Sequence, residues 1–181
     1  MSLIRREDAL LLIIDVQERL VPVMHEAEEL VRRCETLIEI AKTLGLPIVA
    51  TEQYPRGLGP TMPALAEKLG GATVLSKLSF SAMGDAGVRD TLRAADRSTL
   101  VIAGIESHVC VLQSAVDAVD RGFQVQVVAD AISSRRPESR EIAMHRIQAA
   151  GATITTIESV AFECLKVAGS DEFRAVSRLI R

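Results

Sequence analysis

Tryptophan is absent from this 181-residue chain, tyrosine occurs once and phenylalanine four times, so aromatic side chains supply only 3% of it. With 48% hydrophobic residues and a mean hydropathy of +0.23, the core must be aliphatic, as in buried parallel sheets. Disorder is not expected at that hydrophobic content. No charge of one sign dominates either: 21 basic and 24 acidic residues, mixed along the chain, give a net −3 and no positive stripe for a phosphate backbone. Nucleic acid is therefore not an expected partner. The longest apolar run near the start, Ala9 to Ile14, is far too short for a membrane span or a signal h-region and ends at a carboxylate. The expectation is a soluble chain with no cleaved leader and no membrane partner.

Cysteine is scarce as well. Cys34, Cys110 and Cys164 are odd in number, widely separated and without CxxC spacing, so neither a disulfide framework nor a zinc knuckle is indicated. A reducing, cytoplasmic compartment is the expectation. There is no GxGxxG after a strand and no Gly-Lys-Ser/Thr sequence, which removes support for nucleotide binding. Internal repeats, low-complexity segments and interdomain linkers are missing too, and residues 1–181 read as one domain.

What is present is alternation. Short aliphatic runs at Ala9–Asp15, Pro47–Thr51, Thr73–Ser76, Ser98–Ala103, Gln124–Ala129 and Thr153–Ile157 read as six strands. Helical spacing lies between them at Glu28–Leu44, Gly87–Ala94 and Val109–Arg121, then from Pro137 to the residues before Gly151, and again at the end of the chain. Repeated βαβ units of this kind predict a three-layer α/β/α doubly wound fold around a six-stranded parallel sheet of Rossmann-like topology. The exception, EQYPRGLGPTMP at residues 52–63, carries three prolines and two glycines and reads as a loop.

Ligands of open parallel sheets bind outside the carboxyl ends of the strands, which singles out Asp15, Lys77, Cys110 and Asp130. Cys110 falls near the first turn of a helix, where free N–H groups and the helix dipole favour a thiolate. Alone, it reads more readily as a small buried core residue, as most free cysteines do. A carboxylate at Asp15 could take the thiol proton and an ammonium at Lys77 could stabilise the anion, although each residue type also occurs in purely structural or solvated roles at strand ends. Asp130 reads as structural. His108 is two residues from Cys110 and points to a different side of a helix start. His25 and Glu26 open like HExxH, but Glu29 stands where the second histidine belongs. His25 and His145 read as surface residues, and Cys34 and Cys164 as packing residues on apolar helix stripes.

Three blocks, IIDVQ at the end of the first strand, KLSFSA after the third and AGIESHVCV before the fourth crossover, resemble the isochorismatase-like cysteine hydrolases, in family order. TEQYPRGLGPT, ESHVC and VADAISSR are similar to the isochorismatase domain-containing proteins within that family. The resemblance implies Asp15 as general base, Lys77 as electrostatic partner and Cys110 as nucleophile. It also implies a cis peptide between Ile105 and Glu106, with the backbone N–H groups of Glu106 and Cys110 forming an oxyanion hole. By loop position Gln53, Tyr54 and Phe80 are candidates to line the pocket. The reaction implied is hydrolysis of a small amide, carbamoyl or related carbonyl compound through a thioester.

Two branches fit less well. The nicotinamidase branch carries a metal site after the second strand, with an Asp-x-His pattern, whereas this chain reads TEQYP with Glu52 and Tyr54 at the approximate positions and no histidine between His25 and His108. No catalytic metal and no other cofactor is expected. True isochorismatases cleave a vinyl ether without a cysteine at this position, and Cys110 argues against that chemistry. Against the hydrolase stand two other readings: a catalytically silent homo-oligomeric scaffold, suggested by the aliphatic terminal helix, and a phospho-receiver domain. The last needs an acidic pair at the first strand, and Asp15 has no acidic neighbour.

Overall fold

A computed structural model describes residues 3–180 of the chain. Its strands are β1 (Ala9–Ile14), β2 (Ile48–Gln53), β3 (Thr73–Lys77), β4 (Thr99–Ile105), β5 (Gln124–Ser133) and β6 (Thr153–Thr155). They form one six-stranded sheet in the order β3-β2-β1-β4-β5-β6, and every neighbouring pair is parallel. Around it run α1 (Ala27–Thr43), α2 (Pro55–Leu58), α3 (Pro63–Leu69), α4 (Ala86–Ala94), α5 (Leu112–Asp120), α6 (Pro137–Ala149), α7 (Ile157–Leu165) and α8 (Asp171–Ile180).

Alternate strand residues feed two separate cores. Ala9, Leu11 and Ile13 of β1 pack with Leu37 and Ile38 of α1, Leu65 of α3, Val160 of α7 and Val176 of α8. Leu10, Leu12 and Ile14 pack on the other face with Val88 of α4, Ala115 of α5 and Ile147 of α6. A strand covered on both faces needs an unbroken apolar run rather than an alternating one, which is what ALLLII supplies. The layers are therefore helix, sheet, helix, as expected from the sequence.

Several boundaries differ from the expectation, β3 and β4 running on to Lys77 and Ile105 among them. β2 continues through Glu52 and Gln53, because both pair with β3 at Ser76 and Lys77. The proline-rich segment contains a short helix, α2, opened by Pro55 at its first position, where a missing N–H costs nothing. β5 does not stop at Ala129 but bulges: Ile102 pairs with Val127, then Gly104 with Ile132, and the strand reaches Ser133. The last strand ends at Thr155, because Thr156 caps α7 by accepting a hydrogen bond from Ser159 N.

Strand order reverses between β1 and β4, since β2 and β3 lie on one side of β1 and β5 and β6 lie beyond β4. At that switch point the outgoing loops diverge and leave room beyond the carboxyl ends. β1 and β4 approach closely there: a Cβ on Gly104 (φ +118°) would lie 2.1 Å from Ile14 O, so no other residue fits without a backbone shift.

Candidate active site

Asp15 is the first residue beyond β1, in a left-handed conformation (φ +53°) that aspartate tolerates better than most residues. Its N–H donates to Thr51 O at 3.0 Å, which continues the ladder to β2. Thr51 Oγ1 donates to Asp15 Oδ1 at 2.7 Å, and Lys77 Nζ donates to Oδ2 at 2.7 Å. Lys77 ends β3, two strands from Asp15, so neighbouring strands about 4.8 Å apart demand a long side chain that crosses the end of β2. Both side chains are fully buried (0% exposed). A buried ion pair persists only where its remaining donors and acceptors are satisfied, and the surrounding contacts do this.

Gln53 belongs to the same cluster. Its Oε1 accepts from Lys77 Nζ at 2.8 Å and its Nε2 donates to Leu78 O at 2.8 Å. Ser79 O and Phe80 O accept from Lys77 at 3.2 and 3.1 Å. Gln17, two residues after Asp15, clamps the Gln53 backbone by accepting from its N–H at 2.7 Å and donating to its carbonyl at 3.0 Å.

Cys110 comes from the other side of the switch point. β4 leads through a cis Ile105–Glu106 peptide into one π-helical turn, Ser107–Val111, and then into α5. The thiol is buried (5% exposed) and interacts with Asp15 and Lys77. Burial pushes it up to about 12, and the charge of Asp15 and a hydrogen bond to its carboxylate push in the same direction, against the lowering effect of Lys77. This corrects the expectation of a thiolate set by Lys77 and a helix N-terminus: desolvation and the neighbouring carboxylate outweigh the cation. Burial and the Asp15 charge together favour the neutral thiol.

His108 turns away from Cys110, its Nδ1 lying 2.9 Å from Ser134 Oγ, and Ser107 Oγ donates to Ser133 O at 2.8 Å. Both contacts anchor the turn to the end of β5. Glu106 pairs with Arg135 at 2.9 Å, with side chains 12% and 60% exposed. His25 and His145 are not buried, while Cys34 and Cys164 are buried among core side chains. Asp130 accepts from Ile157 N at 3.0 Å and ties β5 to the start of α7, a structural role.

The three candidate pocket residues separate. Tyr54 is 51% exposed and lines a cavity of about 640 Å³ together with Arg56, Leu78 and Asp85. Gln53 is buried and committed to Lys77, and Phe80 is 53% exposed with its ring outside that wall. This cavity flanks the edge strand β3 and includes neither Asp15 nor Cys110. Among the described residues no group of three or more His, Cys, Asp or Glu side chains could hold a metal ion. The Glu52 carboxylate instead accepts from Thr61 N and Oγ1 at 2.7 and 2.8 Å. Sequence reasoning missed Gln17, Thr51 and Gly104. Only Gly104 carried a signal, a glycine between Ala103 and Ile105 just past the expected strand end.

A doubly wound parallel sheet with an aspartate, a lysine and a cysteine gathered at its switch point defines an α/β protein of the isochorismatase type. The chain belongs to the isochorismatase family, whose domain matches residues 9–159. It is 36% identical over 177 residues to the secreted isochorismatase effector Isc1 of Phytophthora sojae, covering 96% of this chain and 84% of that one. Among solved structures, a MAR1 ribonuclease from Caenorhabditis elegans superposes with a TM-score of 0.93 at 35% identity, over 99% of this chain and 92% of that one. YcaC of Escherichia coli, described as an octameric hydrolase of unknown specificity, gives 0.88 at 27% identity over 92% and 84%. No helix among the described residues is long and apolar enough to cross a membrane.

Proposed function

We propose that this chain is a single-domain cysteine hydrolase that cleaves a small amide, carbamoyl or related carbonyl compound without a metal or other cofactor. The observation that carries the reading is the fully buried Lys77–Asp15 pair at 2.7 Å beside the buried Cys110 thiol, at the sheet's switch point. Cys110 Sγ attacks the carbonyl carbon as its proton passes to Asp15. The N–H groups of Glu106 and Cys110 receive the developing oxyanion. In support, Glu106 O accepts from Val109 N and Val111 N and skips the Cys110 N–H between them. Collapse breaks the C–N bond and expels the amine, which takes the proton from Asp15. Water then attacks the thioester while Asp15 accepts its proton and returns it to the departing thiolate.

The octameric state described for YcaC supports a homo-oligomer here. Three free cysteines support a reducing, cytoplasmic setting. A ribonuclease reading finds no support in a net charge of −3 without a basic stripe.

Iodoacetamide labelling resolved by site tests the reading. Thiolate is the reactive form, and Cys110 is pushed up to about 12 by burial and by Asp15, so its labelling should rise about tenfold per pH unit from about pH 7 to 9. Cys164, pushed up to about 11 mainly by burial, should rise in parallel. Asp15→Asn should speed Cys110 labelling throughout that range and leave Cys164 unchanged, because the group that raises the Cys110 thiol is gone. A Cys110 rate unchanged by Asp15→Asn sinks the proposal. A substrate screen of amides and carbamoyl compounds then seeks turnover that Cys110→Ser abolishes, and uniform inactivity with an unreactive Cys110 would favour the scaffold.

A further inference from the structure

We infer that Gln53 is a positioning residue, the side-chain amide that holds the Lys77 ammonium against Asp15. The inference rests on the reading of Asp15, Lys77 and Cys110 as one reactive group and adds the part that fixes its cation.

An ammonium has three N–H donors, and Lys77 Nζ has four protein acceptors within 3.2 Å: Asp15 Oδ2, Gln53 Oε1, Phe80 O and Ser79 O. Lys77 is thus saturated by the protein and keeps no donor for a substrate, so it acts as a fixed charge. Asp15 and Gln53 make its two shortest contacts, at 2.7 and 2.8 Å, and Gln53 is the neutral one. The two backbone carbonyls belong to the segment that follows Lys77 itself and cannot by themselves direct it across β2.

Gln53 is in turn allowed only one orientation. Its Nε2 donates to Leu78 O at 2.8 Å, which turns Oε1 toward Lys77, and a flipped amide would place two N–H groups against an ammonium. Its backbone is gripped on both sides by Gln17, a buried residue two positions after Asp15. The ends of β1, β2 and β3 are consequently tied in one loop of contacts, from Asp15 through Lys77, Gln53 and Gln17 back to the β1 end. A shift of Gln53 would move the cation relative to the carboxylate without touching Cys110 directly.

The test is a double-mutant cycle on the full chain, with iodoacetamide as probe and the Cys110 labelling rate from about pH 7 to 9, relative to that of Cys164, as readout. Lys77 lowers the Cys110 thiol, so loosening it leaves less thiolate and slows labelling. Gln53→Met should slow Cys110 about threefold, half a pH unit along its profile. Lys77→Met should slow it further, and the double variant should match Lys77→Met within about twofold, because Gln53 acts through Lys77. A general packing defect would expose both buried thiols and speed their labelling, and an independent effect would add in the double variant. If Lys77→Met slows Cys110 and Gln53→Met does not, or if the effects add, Gln53 has no positioning role and the cysteine reading stands. If neither variant changes the rate, both fall together.

Should Gln53→Met not fold, the native chain decides. In protein labelled with nitrogen-15 at lysine Nζ, the Lys77 ammonium should give a slowly exchanging resonance with cross-peaks to the Gln53 side-chain amide. Rapid exchange, like that of the exposed lysines, would overturn the inference.

Discussion

On the β1 side of the switch point the Asp15–Lys77 pair is fully buried and each partner is bonded to further fixed groups; on the β4 side the Glu106–Arg135 pair reaches solvent. Asp15, Thr51, Gln53 and Lys77 form a cluster in which each carboxylate oxygen and each ammonium proton has a protein partner. Glu106 and Arg135 meet at 2.9 Å, but the arginine side chain is 60% exposed, and the Cys110 turn is held mainly through Ser107 and His108. The base and the cation of the proposed reaction are thus built into the sheet, while the nucleophile is carried on a turn tied to it from outside. Pre-orientation of charge is worth most where water is absent, which is why the rigid side holds the ion pair.

The largest expected effect falls on the rigid side. Lys77→Met leaves the Asp15 carboxylate buried without its counter-ion, and breaking a buried pair from one side costs about 3 to 5 kcal/mol. Urea denaturation should show that loss. Replacing both partners, Asp15→Asn with Lys77→Met, should recover most of the stability, because no unpaired buried charge remains and asparagine keeps the left-handed backbone and the acceptor for Thr51. A double variant no more stable than Lys77→Met would mean that the cluster is held by something other than its charges.

Thr51→Val comes next. It preserves shape and removes the hydroxyl that donates to Asp15 Oδ1 at 2.7 Å, a hydrogen bond to a charged acceptor worth about 1.5 to 3 kcal/mol. Thr51→Ser should restore most of it. If valine costs less than about 0.5 kcal/mol, the β1 side is looser than its distances imply.

The same contrast explains what could be read from the sequence. The six strands, the crossover helices and the positions of Asp15, Lys77 and Cys110 follow from aliphatic runs that end in a polar residue, a pattern local to each segment. The partners of those residues are not local. Thr51 and Gln53 meet Asp15 and Lys77 only because β2 lies between β1 and β3, and strand order is not written in any single run. Gln53 looked like a pocket residue for that reason. The thiol's state was misjudged similarly: a helix start and a lysine both argue for a thiolate, but the burial and the carboxylate that outweigh them exist only once the strands are assembled. The extra length of β5 depends on a bulge between its pairings with Ile102 and Gly104, a relation between two strands that no single run displays.

The smallest effect is expected on the open side, and it is the sharpest check of the comparison. Arg135→Ala removes an ion pair whose arginine is mostly in water, and such pairs are worth about 0 to 1 kcal/mol. Stability should change by no more than that, and 1 M salt should erase the difference, because the Debye length falls from about 10 Å at 0.1 M to about 3 Å. The cost of Lys77→Met, lying inside the protein, should survive the same salt. Glu106 raises the Cys110 thiol, and Arg135 offsets part of its charge, so Arg135→Ala should also slow Cys110 labelling at alkaline pH, by less than about twofold at this exposure. A salt-resistant loss as large as that of Thr51→Val would instead show that the nucleophile's turn is locked by charge as firmly as the base, and the division between a rigid and an open side would fail.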